Sequence, residues 1–390
     1  MSAEDRATRL PEQTDEFLPV QDVGTKEAAD PAATTEFRDV MRQMASVDDI
    51  AGRSVDEYME MLRDRRPAFA FDEREAAAKR ARYVVKREVG RGSIGTICLA
   101  RDMYLNRDVA IKALRADLIQ KKGRLARFLS EAQITSQLDH PAVVPVYDIG
   151  LMPDDAPFFS MKLIRGHTLG AHIAAFRKQK RIARKTLRQF RTRLLRIFTR
   201  ICQGMAYAHA KRVIHRDLKP ENIMTGEFGQ VHIMDWGLAK IVGSPMREES
   251  LDVDPVQTIR SELEIQTMDG VVAGTPAYMS PEQARGDSDF LNYRSDVFTL
   301  GLILVELVTL QRAIPAGNPD SVIERVRNTA AISPRILRPD IDIPLQLDAI
   351  CLCATAPDPK NRYPSAYDLW QDMRTYFEGG DLIADSLIEH

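Results

Sequence analysis

The chain has 390 residues, of which 44% are apolar and 28% are charged, and its formal net charge is −2. This composition is typical of a globular protein with a sizeable core, and the length allows two or three domains. The near-neutral charge gives no general attraction to nucleic acid, and no apolar run reaches the roughly 20 residues that a membrane span needs. We therefore expect neither a nucleic-acid partner nor a membrane span. The four cysteines lack metal-binding spacing, which predicts free thiols in a reducing, cytoplasmic compartment.

The N-terminal extension, residues 1–75, differs in texture from the rest. Its first 35 residues are rich in Glu, Asp, Thr, Ala and Pro without an apolar period, so we expect them to be disordered. Ser54-Val55-Asp56-Glu57 is a capping-box pattern, and Tyr58 and Leu62 continue it at helical spacing. A short helix is predicted there. It either packs against the main domain or acts as a docking or regulatory element.

From Tyr83 onward, short β-prone runs alternate with one helical pattern at about Arg124–Leu138. The runs are Tyr83–Val89, Thr96–Ala100, Val109–Ala113, Val143–Tyr147 and Phe158–Leu163. After Thr168 the pattern is mostly helical. The sequence therefore predicts an α+β fold in which a small strand-rich lobe precedes a larger helical lobe.

The segment Arg177–Arg200 contains eleven Lys or Arg residues and no acidic residue. Its apolar residues recur at helical spacing, which predicts a helix with a solvated basic face. A surface for an acidic partner, nucleic acid or lipid headgroups is the alternative.

A glycine-rich pattern follows the first strand, at Val89-Gly90-Arg91-Gly92-Ser93-Ile94-Gly95. Dinucleotide-binding folds use the same G-x-G-x-x-G spacing, but there the glycines open a helix. Here Thr96–Ala100 is a predicted strand, so the glycines form a hairpin. Such a hairpin can fold over a triphosphate, because glycine lets backbone N–H groups approach the phosphates.

Two charged residues are placed to act beside this hairpin. Lys112 ends the apolar run Val109–Ile111 on a strand, so its ammonium should point from the sheet toward the phosphates. Glu131 lies on the following helix, where it can pair with Lys112 and hold it in place. Alone, each residue is more often a solvated surface charge.

The most specific pattern is Ile214-His215-Arg216-Asp217-Leu218-Lys219-Pro220-Glu221-Asn222. With it the chain resembles the eukaryotic-type (Hanks-type) protein serine/threonine kinases. The resemblance implies a bilobal kinase fold, with a small antiparallel-sheet N-lobe that carries one main helix and a larger helical C-lobe. The resemblance implies that Asp217 is the catalytic base, that Lys219 neutralises charge on the γ-phosphate, and that Asn222 holds a metal ion. ATP is the implied cofactor together with Mg²⁺, or alternatively Mn²⁺.

Two later patterns extend the resemblance. Asp235 in Met234-Asp235-Trp236-Gly237 stands where the family has D-F-G and would hold the bridging Mg²⁺, with Trp in place of Phe. Gly274–Glu282 resembles the end of the activation segment, with Ser280 where Ala is usual, and Glu282 would pair with Arg362. These stretches are most similar to bacterial members of the family.

The resemblance also implies the extent of the domain and its nucleotide site. The kinase domain would span 83–377, with the N-lobe at 83–161, the hinge at 162–165 and the C-lobe at 166–377; residues 378–390 would be a short tail. The ATP-binding residues would be Val89, Gly90, Arg91, Gly92, Ser93, Ile94, Gly95, Ile97, Ala110, Lys112, Met161, Leu163 and Ile164.

Substrate type and regulation are implied as well. Lys219, two residues after Asp217, favours serine and threonine over tyrosine acceptors on protein substrates. Arg216 marks family members whose activation segment is ordered by a phosphate, and Thr267 is the expected phosphorylation site. Thr275 is expected to contact Asp217 and Lys219 instead. Autophosphorylation between two copies in a homodimer is a possible partner arrangement.

Two other functions compete with this interpretation. A pseudokinase scaffold would lack a catalytic group, yet Lys112, Glu131, Asp217, Asn222 and Asp235 are all present. A small-molecule kinase of the aminoglycoside type would not need the Gly274–Glu282 platform.

Overall fold

The computed structural model describes residues 54–63, 66–71, 81–179, 183–243, 256–258, 274–287 and 290–388. The predicted disorder of residues 1–35 lies outside these ranges. The described chain forms a strand-rich lobe followed by a helical lobe, in the order that the sequence predicts.

The N-lobe contains a six-stranded sheet in the order β1-β2-β3-β4-β6-β5. Its strands are β1 (Phe69–Ala70), β2 (Tyr83–Arg91), β3 (Gly95–Asp102), β4 (Arg107–Leu114), β5 (Val146–Leu151) and β6 (Pro157–Lys162). The five strands from β2 to β6 pair antiparallel, as expected. The sequence did not predict β1, which joins the edge parallel to β2 and makes the sheet mixed.

The fourth predicted strand was placed too early in the chain. It was expected at Val143–Tyr147, whereas β5 begins at Val146. Proline cannot donate to a strand ladder, so pairing starts only after Pro145. Val143 instead closes a turn, donating its N–H to His140 O at 2.8 Å, and makes an isolated bridge to Ile233.

Two helices pack on one side of this sheet. Helix α1 (Val55–Arg63) occupies the segment with the capping-box pattern, and α2 (Lys122–Gln137) is the main helix of the lobe. Both contribute buried side chains to one apolar cluster with strands β4 to β6. A second cluster, on Phe69, Tyr83 and Phe158, fixes β1; the Phe69 and Phe158 rings meet edge to face with centroids 5.0 Å apart.

The C-lobe is built around one almost fully buried helix, α6. The helices are α3 (Leu169–Arg177), α4 (Arg184–Ala210), α5 (Pro281–Arg285), α6 (Tyr293–Thr309), α7 (Pro319–Arg327), α8 (Pro334–Leu337), α9 (Leu345–Ala354), α10 (Ala366–Glu378) and α11 (Ile383–Ile388). Helix α9 approaches α6 closely at Gly301, where a Cβ atom would meet Ala354 Cβ at 2.8 Å. Gly301 therefore permits this packing.

Short strands in the C-lobe hold the functional loops. Strands β7 (Gly166–Thr168), β9 (Ile223–Gly226) and β10 (Val231–Ile233) form one sheet, and β8 (Val213–Ile214) pairs with β11 (Lys240–Ile241). The loop that follows β8 carries the H-R-D pattern, and the loop between β10 and β11 carries Asp235.

The end of the chain packs on the C-lobe. The backbone N–H groups of Ile383 and Ala384 each donate to the buried carboxylate of Asp372 at 2.8 Å, and Ala384 is fully buried. The domain limits at 83 and 377 stay predictions.

Candidate active site

The glycine-rich segment forms a tight hairpin between β2 and β3. Gly92 donates its N–H to Gly95 O at 2.8 Å. At Gly95 a Cβ atom would meet Ala113 O at 2.8 Å, so a side chain there would push β3 away from β4. A strand follows the glycines directly, which argues against the dinucleotide-binding arrangement.

Side chains flanking this hairpin differ in exposure. Val89 is 43% exposed, and Arg91 donates from Nη2 to Glu88 Oε2 at 2.8 Å on the hairpin surface. Ser93 stands at the exposed tip, whereas Ile94 packs against the apolar cluster of the N-lobe. The hairpin is therefore anchored at one side and open at its tip.

The sheet register aligns the expected adenine-pocket residues. Ile97 lies opposite Lys112, and Ala110 lies opposite Met161. Leu163 and Ile164 follow β6 and pack against the N-lobe cluster. Ile97, Ala110, Met161, Leu163 and Ile164 thus belong to one apolar cluster of the N-lobe.

The lysine on β4 reaches its expected partner Glu131 and also the carboxylate of Asp235. Lys112 Nζ is 2.5 Å from Glu131 Oε1 and 3.4 Å from Asp235 Oδ1. Burial acts to lower the pKa of Lys112, but the carboxylates of Glu131 and Asp235 outweigh it and raise the pKa. The ammonium therefore stays charged at neutral pH between the two lobes.

Asp235, which is expected to hold the bridging Mg²⁺, faces the cleft. The Asp235 side chain is 50% exposed and has a positive φ of 59°. Burial acts to raise the pKa of Asp235, but the charges of Lys112 and His215 act more strongly in the opposite direction. The pKa of Asp235 therefore lies below its ordinary value. Asp235 thus presents an ionised carboxylate to the cleft.

The carboxylate of Asp217 is held by three neighbours. Lys219 Nζ donates to Asp217 Oδ2 at 2.7 Å and to Thr275 Oγ1 at 2.7 Å. Thr275 donates to Asp217 Oδ1 at 2.9 Å from both its hydroxyl and its backbone N–H. The Asn222 amide donates to Asp217 Oδ2 at 3.4 Å and to the backbone oxygen of Asp217 at 2.9 Å, which leaves the amide oxygen of Asn222 as an acceptor.

Helix α6 supports the loop that carries Asp217. Asp296, in the first turn of α6, accepts backbone N–H bonds from His215 at 2.8 Å and from Arg216 at 3.0 Å. Arg216 has a positive φ of 68°, a conformation that is costly for a residue with a side chain. The two bonds to a buried carboxylate stabilise this backbone.

Trp236 plugs the space beneath the cleft. It is 1% exposed, and its ring lies 4.6 Å from the His215 ring. His215 Nε2 donates to Met234 O at 3.0 Å, which joins the two loops next to the indole. The larger aromatic side chain is therefore buried between them.

The expected ion pair of Glu282 and Arg362 lies apart from the catalytic residues. Arg362 donates from Nη1 and Nη2 to the two carboxylate oxygens of Glu282, at 2.8 and 3.0 Å, and both side chains are buried. This pair ties the end of the activation segment to the C-lobe.

The expected regulatory residues are only partly covered by the structure. Arg216 is buried; burial and the nearby guanidinium of Arg127 on α2 lower its pKa, while Asp296 opposes them. Thr267 lies outside the described residues. The positive charge of Arg127 thus acts on buried Arg216.

Comparison with known families agrees with this arrangement. The family described as "Protein kinase domain" matches residues 83–373. This chain belongs to the protein kinase family. The predicted bilobal kinase fold is confirmed, and so is the resemblance to bacterial serine/threonine kinases.

Bacterial proteins are among those similar to this chain. The chain is 37% identical over 309 residues to "Serine/threonine-protein kinase PknD" of Protochlamydia amoebophila and 35% identical over 300 residues to a protein of that name in Chlamydia felis. The matches cover 76% of this chain but only 30% and 31% of those relatives, so the chain spans less than a third of their length. Within the part of the chain that the structure covers, none of the helices combines the length and apolar composition needed to cross a bilayer.

Sequence reasoning missed several supporting residues. Gln283 donates its amide to Arg216 O at 2.8 Å, and Ser295 donates to Glu282 at 2.7 Å. Neither residue was assigned a role from the sequence. Arg127 could have been noticed in the sequence, because it precedes Glu131 by four residues and therefore lies on the same face of α2.

Proposed function

We propose that this chain is an ATP-dependent protein serine/threonine kinase. The observation that carries the proposal is the cluster of Asp217, Lys219 and Thr275, in which a carboxylate holds an alcohol and an ammonium at 2.7 to 2.9 Å. Asp217 would orient the acceptor hydroxyl and take its proton, and Lys219 would offset the negative charge of the transferred group. Lys112, held by Glu131, would position the phosphates.

The residues present fit the expected cofactors. Asp235 and the amide oxygen of Asn222 are oxygen ligands of the kind that Mg²⁺ prefers, and Mn²⁺ accepts the same donors. Nowhere in the described ranges do three or more His, Cys, Asp or Glu side chains gather into a metal site. Two protein ligands suit a metal whose other ligands are phosphate oxygens and water. ATP would supply the phosphoryl group, and the metal would neutralise its charge.

The acceptor type is tested by incubating the chain with γ-labelled ATP and a generic protein substrate, followed by mass spectrometry. We expect phosphate on serine and threonine. Phosphate only on tyrosine would contradict the proposed specificity, and phosphate only on small molecules would favour the aminoglycoside-type alternative. A chain that binds ATP without transfer would be a pseudokinase scaffold.

We also propose activation by phosphorylation at Thr267, through autophosphorylation between two copies. The positive charge of Arg127, which acts on buried Arg216, supports it, since a phosphate carries about −1.5 to −2 charges and accepts charge-assisted hydrogen bonds from guanidinium groups. Ordering by fixed acids such as Asp269 is the alternative. Phosphosite mapping with Thr267→Ala kinetics decides: an unmodified Thr267 with a fully active alanine variant would refute this regulation.

Location in a reducing compartment stays a prediction. It is supported by four free cysteines, of which Cys202, Cys351 and Cys353 are buried and Cys98 is half-buried. Burial raises the pKa of all four thiols, so none has the character of a reactive thiolate.

A further inference from the structure

Helix α1 fills a crevice between α2 and β5 in the N-lobe. Tyr58, Met59 and Leu62 on one face of α1 are 5%, 8% and 2% exposed. They belong to the same apolar cluster as Leu125 and Leu129 of α2. The contact is therefore part of the lobe's core.

The part of α2 that α1 covers is the face opposite the active site. Lys122, Leu125, Leu129 and Gln133 follow one another at intervals of three or four residues, so they form a line along one side of the helix. Gln133 lies two residues after Glu131, which places the two side chains about 200° apart around the helix axis. Glu131 faces Lys112, and the line faces away from it.

Polar contacts hold α1 at both ends of this line. Lys122 Nζ donates to Asp56 Oδ2 at 2.7 Å at one end, and the buried Tyr58 lies beside Gln133 at the other. Burial raises the pKa of the Tyr58 hydroxyl, and the Gln133 side chain opposes that rise. Because α1 also contacts β5, it acts as a wedge between the sheet and the back of α2. The position of α2 in turn sets the 2.5 Å contact between Glu131 and Lys112.

We propose that α1 is a positioning element for catalysis, in which Tyr58 and Leu62 hold α2 where Glu131 reaches Lys112. This inference rests on the proposed kinase function. Without the wedge, the apolar back of α2 would face water, and α2 could move from the sheet while the rest of the lobe stays folded. The pair of Glu131 and Lys112 would then open, and phosphoryl transfer would slow.

The test uses the full chain with Leu62→Asp, which prevents docking of α1, and with Glu60→Gln as the matched control on the exposed face of α1. Three quantities are measured for each protein: the melting temperature, kcat with the KM for ATP, and hydrogen exchange of the α2 amides. A synthetic peptide of residues 54–68 is then added in trans. Tyr58→Phe, which removes only the hydroxyl, serves if Leu62→Asp does not fold, and should shift kcat and exchange in the same direction by less.

We expect Leu62→Asp to have a kcat about tenfold below that of the wild type and faster hydrogen exchange of the α2 amides. The peptide should restore both quantities. Glu60→Gln should match the wild type in both. A folded Leu62→Asp variant with wild-type kcat and exchange would overturn the proposal. So would a loss that the peptide fails to restore, since that would report only on stability. If no form of the chain transfers phosphate, the proposed kinase function is wrong. In that case the hydrogen exchange of the α2 amides, with and without the peptide, still tests whether α1 holds α2 in place.

Discussion

Replacing Arg362 by alanine should remove much of the stability of the C-lobe. Arg362 is fully buried, and all five of its N–H donors are used. Besides Glu282, it donates to the carbonyl oxygens of Ala356 at 2.7 Å, Pro357 at 2.9 Å and Arg294 at 3.0 Å. Arg362→Ala would therefore leave a buried carboxylate and three carbonyl groups without their donor.

The magnitude follows from these contacts. Breaking a buried ion pair by removing one partner costs about 3–5 kcal/mol, because the remaining charge stays buried. Three carbonyls without their donor add roughly 1 kcal/mol or more, reduced by water that enters the vacated space. The expected loss of about 4–6 kcal/mol compares with a total stability of about 5–15 kcal/mol for an ordinary domain.

Urea unfolding followed by circular dichroism measures this loss. Arg374→Ala is the control, because its pair with Glu378 is exposed and such pairs contribute about 0.5 kcal/mol or less. Adding Glu282→Gln to Arg362→Ala should recover part of the loss, since the uncompensated charge is then gone. A loss below about 1 kcal/mol for Arg362→Ala, equal to that of the control, would refute the reasoning.

Three further predictions concern ionised side chains in the active site and in the Glu282–Arg362 pair. Lys112→Met should abolish phosphoryl transfer in a γ-labelled ATP assay, while Lys86→Met, an exposed lysine on β2, should leave it intact; equal rates would contradict the role of Lys112. Asp235→Asn should be inactive through weakened metal binding, with partial recovery at high Mg²⁺ concentration, and full activity at low Mg²⁺ would count against it. Burial raises the pKa of Glu282, but the hydrogen bonds and charge of Arg362 lower it below the ordinary value of 4.5. The ionised Glu282 carboxylate therefore stabilises the fold above that value, and this stabilisation is lost as the pH falls through the lowered pKa. In urea unfolding, the free energy of unfolding of Glu282→Gln should therefore fall less on acidification than that of the wild type. Identical pH profiles for the two proteins would exclude this effect.

The catalytic residues were predictable because short fixed motifs carry them. His215 to Asn222 form one continuous loop, and the hairpin of Gly90 to Gly95 is set by glycine and by the strand that follows. In such segments local spacing and three-dimensional placement nearly coincide. Lys112 and Glu131 were harder, since only the sheet and α2 together bring them within 2.5 Å.

Other features depend on long-range packing that no local pattern records. Strand β1 and the docking of α1 on α2 join segments far apart in the chain, so the sequence predicted the helix but left its contacts open. The basic segment was expected to be helical throughout, yet α3 ends at Arg177 and α4 begins at Arg184. Lys185, Arg188, Arg193, Arg196 and Arg200 are exposed, in agreement with a solvated basic face on α4.

The central claim, that Asp217 acts as the base of a phosphoryl transfer from ATP, is tested most directly by comparing wild type with Asp217→Asn. Nucleotide affinity and the rate of phosphate incorporation are measured on the same preparations. We predict near-normal nucleotide binding and a rate lower by several powers of ten, because positioning and charge dominate this reaction. An Asp217→Asn variant that transfers phosphate at close to the wild-type rate would contradict the assignment.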